Sequence, residues 1–111
     1  HQLFGETTRE QNPDLVDRWA RTWATYPGLA IHNEMASWLD REDFTATAEE
    51  LDVPALVTHG EEDVSIAMEK AEATADALDA ELARIPEAGH SSNLENPEAT
   101  NAALREFLAD V

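Results

Sequence analysis

The chain has 111 residues, 24 acids, 7 bases and no cysteine, for a formal net charge of −17. That length suits one modest domain with one core. The charge repels phosphate backbones, which argues against a nucleic-acid partner, and the lack of cysteine excludes disulfides, thiolate metal ligands and a cysteine nucleophile. The hydrophobic fraction, 42%, is that of an ordinary folded domain. No apolar run nears the ~20 residues that span a bilayer, and the start lacks a signal-peptide pattern, so a cytoplasmic protein without membrane contact is expected. His1 in place of methionine gives the further expectation that the chain begins inside a longer protein.

The acid is not a tail. Residues 1–52 carry 11 acids and 4 bases (−7), and residues 53–111 carry 13 acids and 3 bases (−10). Lys70 is the sole lysine. An acidic, lysine-poor surface fits a halophilic cytoplasm, where salt screens self-repulsion; a plain solvated surface is the alternative.

Residues 1–11 are polar apart from Leu3 and Phe4. Asn12-Pro13 reads as a helix start, with an asparagine cap and a proline in the first turn. Leu15, Val16, Trp19, Ala20 and Trp23 follow at helical spacing, so an amphipathic helix is predicted to about Ala24. Tyr26-Pro-Gly28 breaks it. A second helix is predicted over Leu29–Leu39, with Ile31, Met35, Trp38 and Leu39 on its apolar side. Asp40–Ala48 reads as a polar connection, with a helical turn over Ala46–Leu51.

The stretch Val53–His90 reads as strand, acidic loop, helix, strand and glycine-histidine loop. The first strand, Val53–His59, is nearly continuous in apolar character, as in a parallel strand covered on both faces. A helix over Ile66–Leu78, capped by Ser65 or Asp63, presents Met68, Ala71, Ala75 and Leu78 inward. Leu82 and Ile85 supply the second strand. Asn96-Pro97 opens a last helix, with Ala103, Leu104, Phe107, Leu108 and Val111 as its buried face. The expected class is α/β: helices, then a β-α-β-α unit with parallel strands. Two such strands leave both outer edges open, so membership in a larger sheet or assembly with a partner through strand edges is expected.

A βαβ unit brings the loops after both strands to one edge of the sheet. Asp63 and His90 stand in those loops, 27 residues apart. A histidine base needs an orienting carboxylate to fix its tautomer. The alternative is a solvated histidine and a helix-capping aspartate.

The tracts Val53-Pro-Ala-Leu-Val-Thr-His-Gly-Glu-Glu-Asp63 and Ile85-Pro-Glu-Ala-Gly-His-Ser-Ser-Asn-Leu-Glu-Asn-Pro-Glu98 resemble the C-terminal part of an α/β-hydrolase. The nearest resemblance is to 3-oxoadipate enol-lactonases and related carboxyl-ester hydrolases. Phe4-Gly5 and the helices to Trp38 resemble the end of that family's helical cap. The resemblance implies a partial α/β-hydrolase fold, with a cap remnant and connector over 1–50 and the C-terminal core part over 51–111. It implies Asp63 as triad acid and His90 as general base, acting on an ester or lactone. The family's nucleophile stands in Gly-x-Ser-x-Gly on a strand-to-helix elbow. Ser37, Ser65, Ser91 and Ser92 have no such setting, so this chain alone is expected to be inactive. A cofactor-free haloperoxidase parent is also compatible with the resemblance.

Trp19, Trp23 and Trp38 are candidate substrate-binding residues of an apolar acyl pocket, with core packing as the alternative. Arg18, Arg21 and Arg41 are weaker candidates for a substrate carboxylate. His59, Glu61, Glu62 and His90 lack defined ligand spacing, so no metal is expected, and no cofactor motif is found. Two other classes stay open: a non-catalytic remnant that self-assembles, and a small acidic interaction domain that docks through its tryptophans.

Overall fold

The computed structural model describes residues 2–39 and 41–111; Asp40, where the expected polar connection starts, lies outside them. The described residues form a mixed α/β arrangement of seven helices and one two-stranded parallel sheet.

Helix α1 (Glu6–Gln11) precedes α2 (Pro13–Trp23). Asn12 caps α2 by accepting the Leu15 N–H at 3.3 Å, and Pro13 fills the first turn, where its missing N–H costs nothing. Leu15 and Val16 are buried against Phe4, and Trp19 and Trp23 lie against the same cluster. The Phe4 and Trp23 rings stack with centroids 5.9 Å apart. The sequence reading gave residues 1–11 no element, yet α1 forms there and Phe4 is almost completely buried. Glu6-Thr-Thr-Arg-Glu-Gln11 has no apolar periodicity, so this helix carries no amphipathic signal.

Helix α3 (Gly28–Leu39) forms where its pattern predicts, but its apolar side is not covered. Ile31, Met35, Trp38 and Leu39 are all exposed, and no residue of α3 is buried. Periodicity specifies a helix; it does not supply the surface that the helix needs. A short helix, α4 (Thr45–Glu49), follows, with the Thr45 N–H and hydroxyl both donating to Asp43 Oδ1.

Strands β1 (Leu56–Gly60) and β2 (Glu81–Ile85) pair in parallel, from Leu56 opposite Glu81 to Gly60 opposite Ile85. Pairing starts three residues later than predicted. Pro54 has no N–H to donate, and Val53 stays exposed. Leu56–His59 are half-buried, not covered on both faces. Helix α5 (Met68–Ala77) joins the strands and packs on them with Ala71 and Ala75 buried. It too starts later than predicted, because Asp63 commits its carboxylate to the preceding turn and no side chain caps the helix.

Helix α6 (Ser92–Glu95), which the sequence reading missed, leads into α7 (Pro97–Ala109). Asn96 caps α7 through the Ala99 N–H at 3.1 Å and also donates to the Pro86 carbonyl at 3.0 Å. The predicted buried face of α7 is only partly covered. Ala103 and Phe107 are half-buried, while Leu104, Leu108 and Val111 are exposed. Two short strands are too narrow a platform for a helix of this length.

The accessible surface is 8191 Å², against roughly 6,100 Å² for a compact monomer of this mass. The radius of gyration is 15.7 Å, against about 13 Å for a compact chain of this length. Among the described residues no helix is long and apolar enough to cross a membrane.

Candidate active site

Parallel pairing brings the ends of β1 and β2 side by side, and hydrogen bonds continue beyond the strands. The Glu61 N–H donates to the Ile85 carbonyl at 3.0 Å, and the Glu62 N–H donates to the Ala88 carbonyl at 2.8 Å. The two following loops, one with Asp63 and one with His90, are thereby held at one edge of the sheet.

Asp63 Oδ1 accepts the Ser65 N–H at 2.7 Å and the Ile66 N–H at 3.0 Å. Its Oδ2 faces His90 Nδ1 at 2.8 Å. The Asp63 side chain is 2% exposed, whereas that of His90 is 45% exposed. Burial pushes the Asp63 carboxyl up. The Ile66 N–H, the His90 ring and the Ser65 N–H outweigh it and hold the group below its ordinary value of 3.8. Asp63 is therefore ionised near neutral pH and can only accept. His90 Nδ1 must then carry the hydrogen, which leaves Nε2 as the basic nitrogen.

His59 stands on the other flank of Asp63. Its Nε2 lies 3.0 Å from the Ile66 carbonyl oxygen and 3.8 Å from Asp63 Oδ2. A carbonyl only accepts, so His59 Nε2 carries a hydrogen, and the bond braces the turn that presents Asp63. The sequence reading assigned His59 no role beyond a weak metal possibility.

The segment Gln2–Thr7 lies across both loops. The Thr7 N–H and hydroxyl donate to the two oxygens of Glu62. Glu95 accepts the Gly5 N–H at 2.6 Å and the Ser91 N–H at 3.0 Å. The Ser65 hydroxyl donates to the Gln2 carbonyl at 2.9 Å. Gly5, Gly60 and Gly89 permit this approach. A Cβ on Gly89 would meet the backbone of Phe4 and Gly5, and one on Gly60 would meet the Ala88 and Gly89 carbonyls. Just before Gly89, Glu87 takes a left-handed conformation, with φ of 54°. That turn re-aims the chain from β2 toward the site. Apart from the Ser91–Glu95 bond, which spans four residues, these contacts have no local sequence signal, since they join residues far apart in the chain.

A polar cavity of about 200 Å³ opens beside the pair, lined by Thr58, His59, Gly60, Asp63, Ile66, His90 and Ser92. None of the three tryptophans lines it. Trp19 and Trp23 pack on the Phe4 cluster. Trp38 instead lines a larger apolar groove of about 380 Å³ on α3, with Tyr26, Ala30, Ile31, Glu34 and Met35. Arg21 makes an exposed pair with Asp17 at 3.9 Å. Among the described residues no three His, Asp or Glu side chains converge as metal ligands.

Neither a protein-family model nor a curated protein gives a significant match to this sequence.

Proposed function

We propose that this chain is the acid–histidine part of a serine-type α/β-hydrolase that acts on an ester or lactone, with the nucleophile supplied from outside these residues. The observation that carries the reading is the bond from His90 Nδ1 to Asp63 Oδ2 at 2.8 Å, beyond the ends of two parallel strands. Asp63 is almost fully buried and ionised, and two backbone N–H groups orient it. An arrangement of this kind suits a base whose tautomer must not change.

In the proposed reaction a serine oxygen attacks the ester carbonyl while its proton passes to His90 Nε2. Asp63 stabilises the imidazolium, which then protonates the departing alcohol. Water attacks the acyl-serine in the second half, again giving its proton to His90 Nε2, and the acid leaves as the serine regains its hydrogen.

The reading frame upstream of residue 1 is expected to encode Gly-x-Ser-x-Gly. The protein expressed from the longer frame should hydrolyse a p-nitrophenyl ester, and His90→Ala should lower its kcat by about 10⁴ or more. The 111-residue chain alone should not turn the ester over. Turnover by this chain alone, or a longer frame without such a serine, overturns the proposal.

A second reading, a non-catalytic acidic remnant that self-assembles, draws support from the uncovered apolar side of α3 and the excess surface. Size-exclusion chromatography at low and molar salt separates the two. A stable oligomer of this chain, insensitive to the longer frame, favours assembly as its role. An oligomer and a fold unchanged at low salt would also remove the halophilic reading.

A further inference from the structure

We propose that Glu62 and Glu95 are positioning residues: together they clamp the segment Gln2–Thr7 across the two loops and so hold the His90 ring on Asp63. The proposal rests on the acid–base reading of that pair and names what sets its geometry.

Each carboxylate stands next to one member of the pair. Glu62 precedes Asp63, and both its oxygens are bound by Thr7. Glu95 holds the N–H of Ser91, the residue after His90, with one oxygen, and the Gly5 N–H with the other. Two further bonds follow the same alternation. The Ser65 hydroxyl, from the acid loop, reaches the Gln2 carbonyl, and the Ser91 N–H, from the histidine loop, also reaches the Leu3 carbonyl at 3.3 Å. The segment is thus tied to the acid loop at Gln2 and Thr7 and to the histidine loop at Leu3 and Gly5. Buried Phe4 anchors it to α2 between those ties. Direct backbone contact between Gly5 and Gly89 leaves little room for the histidine loop to shift against it.

The two carboxylates meet different partners. Both groups on Glu95 are backbone N–H donors, so both its oxygens must accept, and a glutamine would turn an NH₂ toward one of them and lose that bond. Glu62 meets one backbone N–H and one hydroxyl that can also accept, so only an apolar side chain there breaks both bonds. His90 is nearly half exposed, and among the described residues its ring is tethered by Asp63 alone. Small movements of the loop backbone therefore decide whether Nδ1 reaches Oδ2.

The test reads the His90 tautomer by ring ¹⁵N chemical shifts in the whole labelled chain, at a pH where the imidazole is neutral. In the unsubstituted protein the Nδ1–H form should dominate. Glu62→Leu and Glu95→Gln should each lower the ratio of Nδ1–H to Nε2–H by about tenfold. Glu98→Gln, exposed in the first turn of α7, should leave it unchanged. A role confined to stability would lower the melting temperature of the folded variants without moving this ratio, and that result overturns the proposal. Should either variant fail to fold by circular dichroism, Thr7→Val decides. It removes the hydroxyl donor to Glu62 alone and should lower the ratio about threefold; an unchanged ratio overturns the clamp. An unsubstituted ring already in the Nε2–H form overturns the acid–base reading itself, and the clamp with it. A Nδ1–H ring that no variant moves overturns the clamp alone.

Discussion

The loops after β1 and β2 are polar in sequence, yet they hold the nearly buried Asp63, and Gly89 among them lies in backbone contact with Gly5 and Gly60. Helix α3 is apolar on one side, yet no residue of it is buried. The difference lies in partners. The Glu62 and Asp63 carboxylates each have donors of their own, so burial costs little. The aliphatic and aromatic groups of α3 have no surface to meet, so they contribute helix without core.

The largest test of this contrast compares one aromatic from each region. Phe4→Ala should cost about 3–5 kcal/mol by urea denaturation, because Phe4 is 2% exposed at the centre of its cluster. Trp38→Ala, at 49% exposure on α3, should stay within about 0.5 kcal/mol. Equal costs would mean that α3 is covered in solution. Next, Gly89→Ala forces backbone apart and should cost about 1–3 kcal/mol. Gly28→Ala, which meets nothing within 4 Å at the start of α3, should be neutral or stabilising by up to about 1 kcal/mol. Thermal denaturation of both variants checks the pair.

Acid gives a smaller and signed effect. The Asp63 carboxyl is held below its ordinary value of 3.8 in the folded chain. The unfolded chain therefore takes up the proton first. The stabilisation is fully present above 3.8 and is lost as pH falls through the lowered folded value. Asp63→Asn should remove that part of the acid dependence in a series of urea melts. Exposed Asp43 is lowered in the same direction by Thr45, and Asp43→Asn should change the profile less. The smallest effect is expected at Glu87, whose left-handed conformation disfavours any side chain with a Cβ. Glu87→Gly should raise stability by a few tenths to about 1 kcal/mol, measurable as a shift in melting temperature.

Sequence patterns carried the parts of the fold that are local. Asn12-Pro13 and Asn96-Pro97 each mark a helix start because cap and first turn are neighbours in the chain. The βαβ spacing brought Asp63 and His90 to one edge because one strand, one helix and one strand repeat a fixed geometry. What stayed illegible is long-range. Phe4 gave no sign of its burial, Glu62 looked like any other acid in a chain of net charge −17, and Glu95, though part of the tract that carries the resemblance, gave no sign of its bond to Gly5. The exposed sides of α3 and α7 show the converse limit, since a hydrophobic period predicts a face that should be covered, not that a cover is within reach.

The bond from the Gly5 N–H to Glu95 joins residues 90 apart in sequence, and that from Thr7 to Glu62 spans 55. Closing so wide a loop is entropically slow compared with winding a helix. During synthesis on the ribosome, Phe4 can pack on α2 as soon as that helix is made, but Gly5 cannot close its tie until residue 95 has been added. The acid–histidine edge is therefore among the last features to mature, and a chain stalled short of α6 would carry the strands without a finished rim.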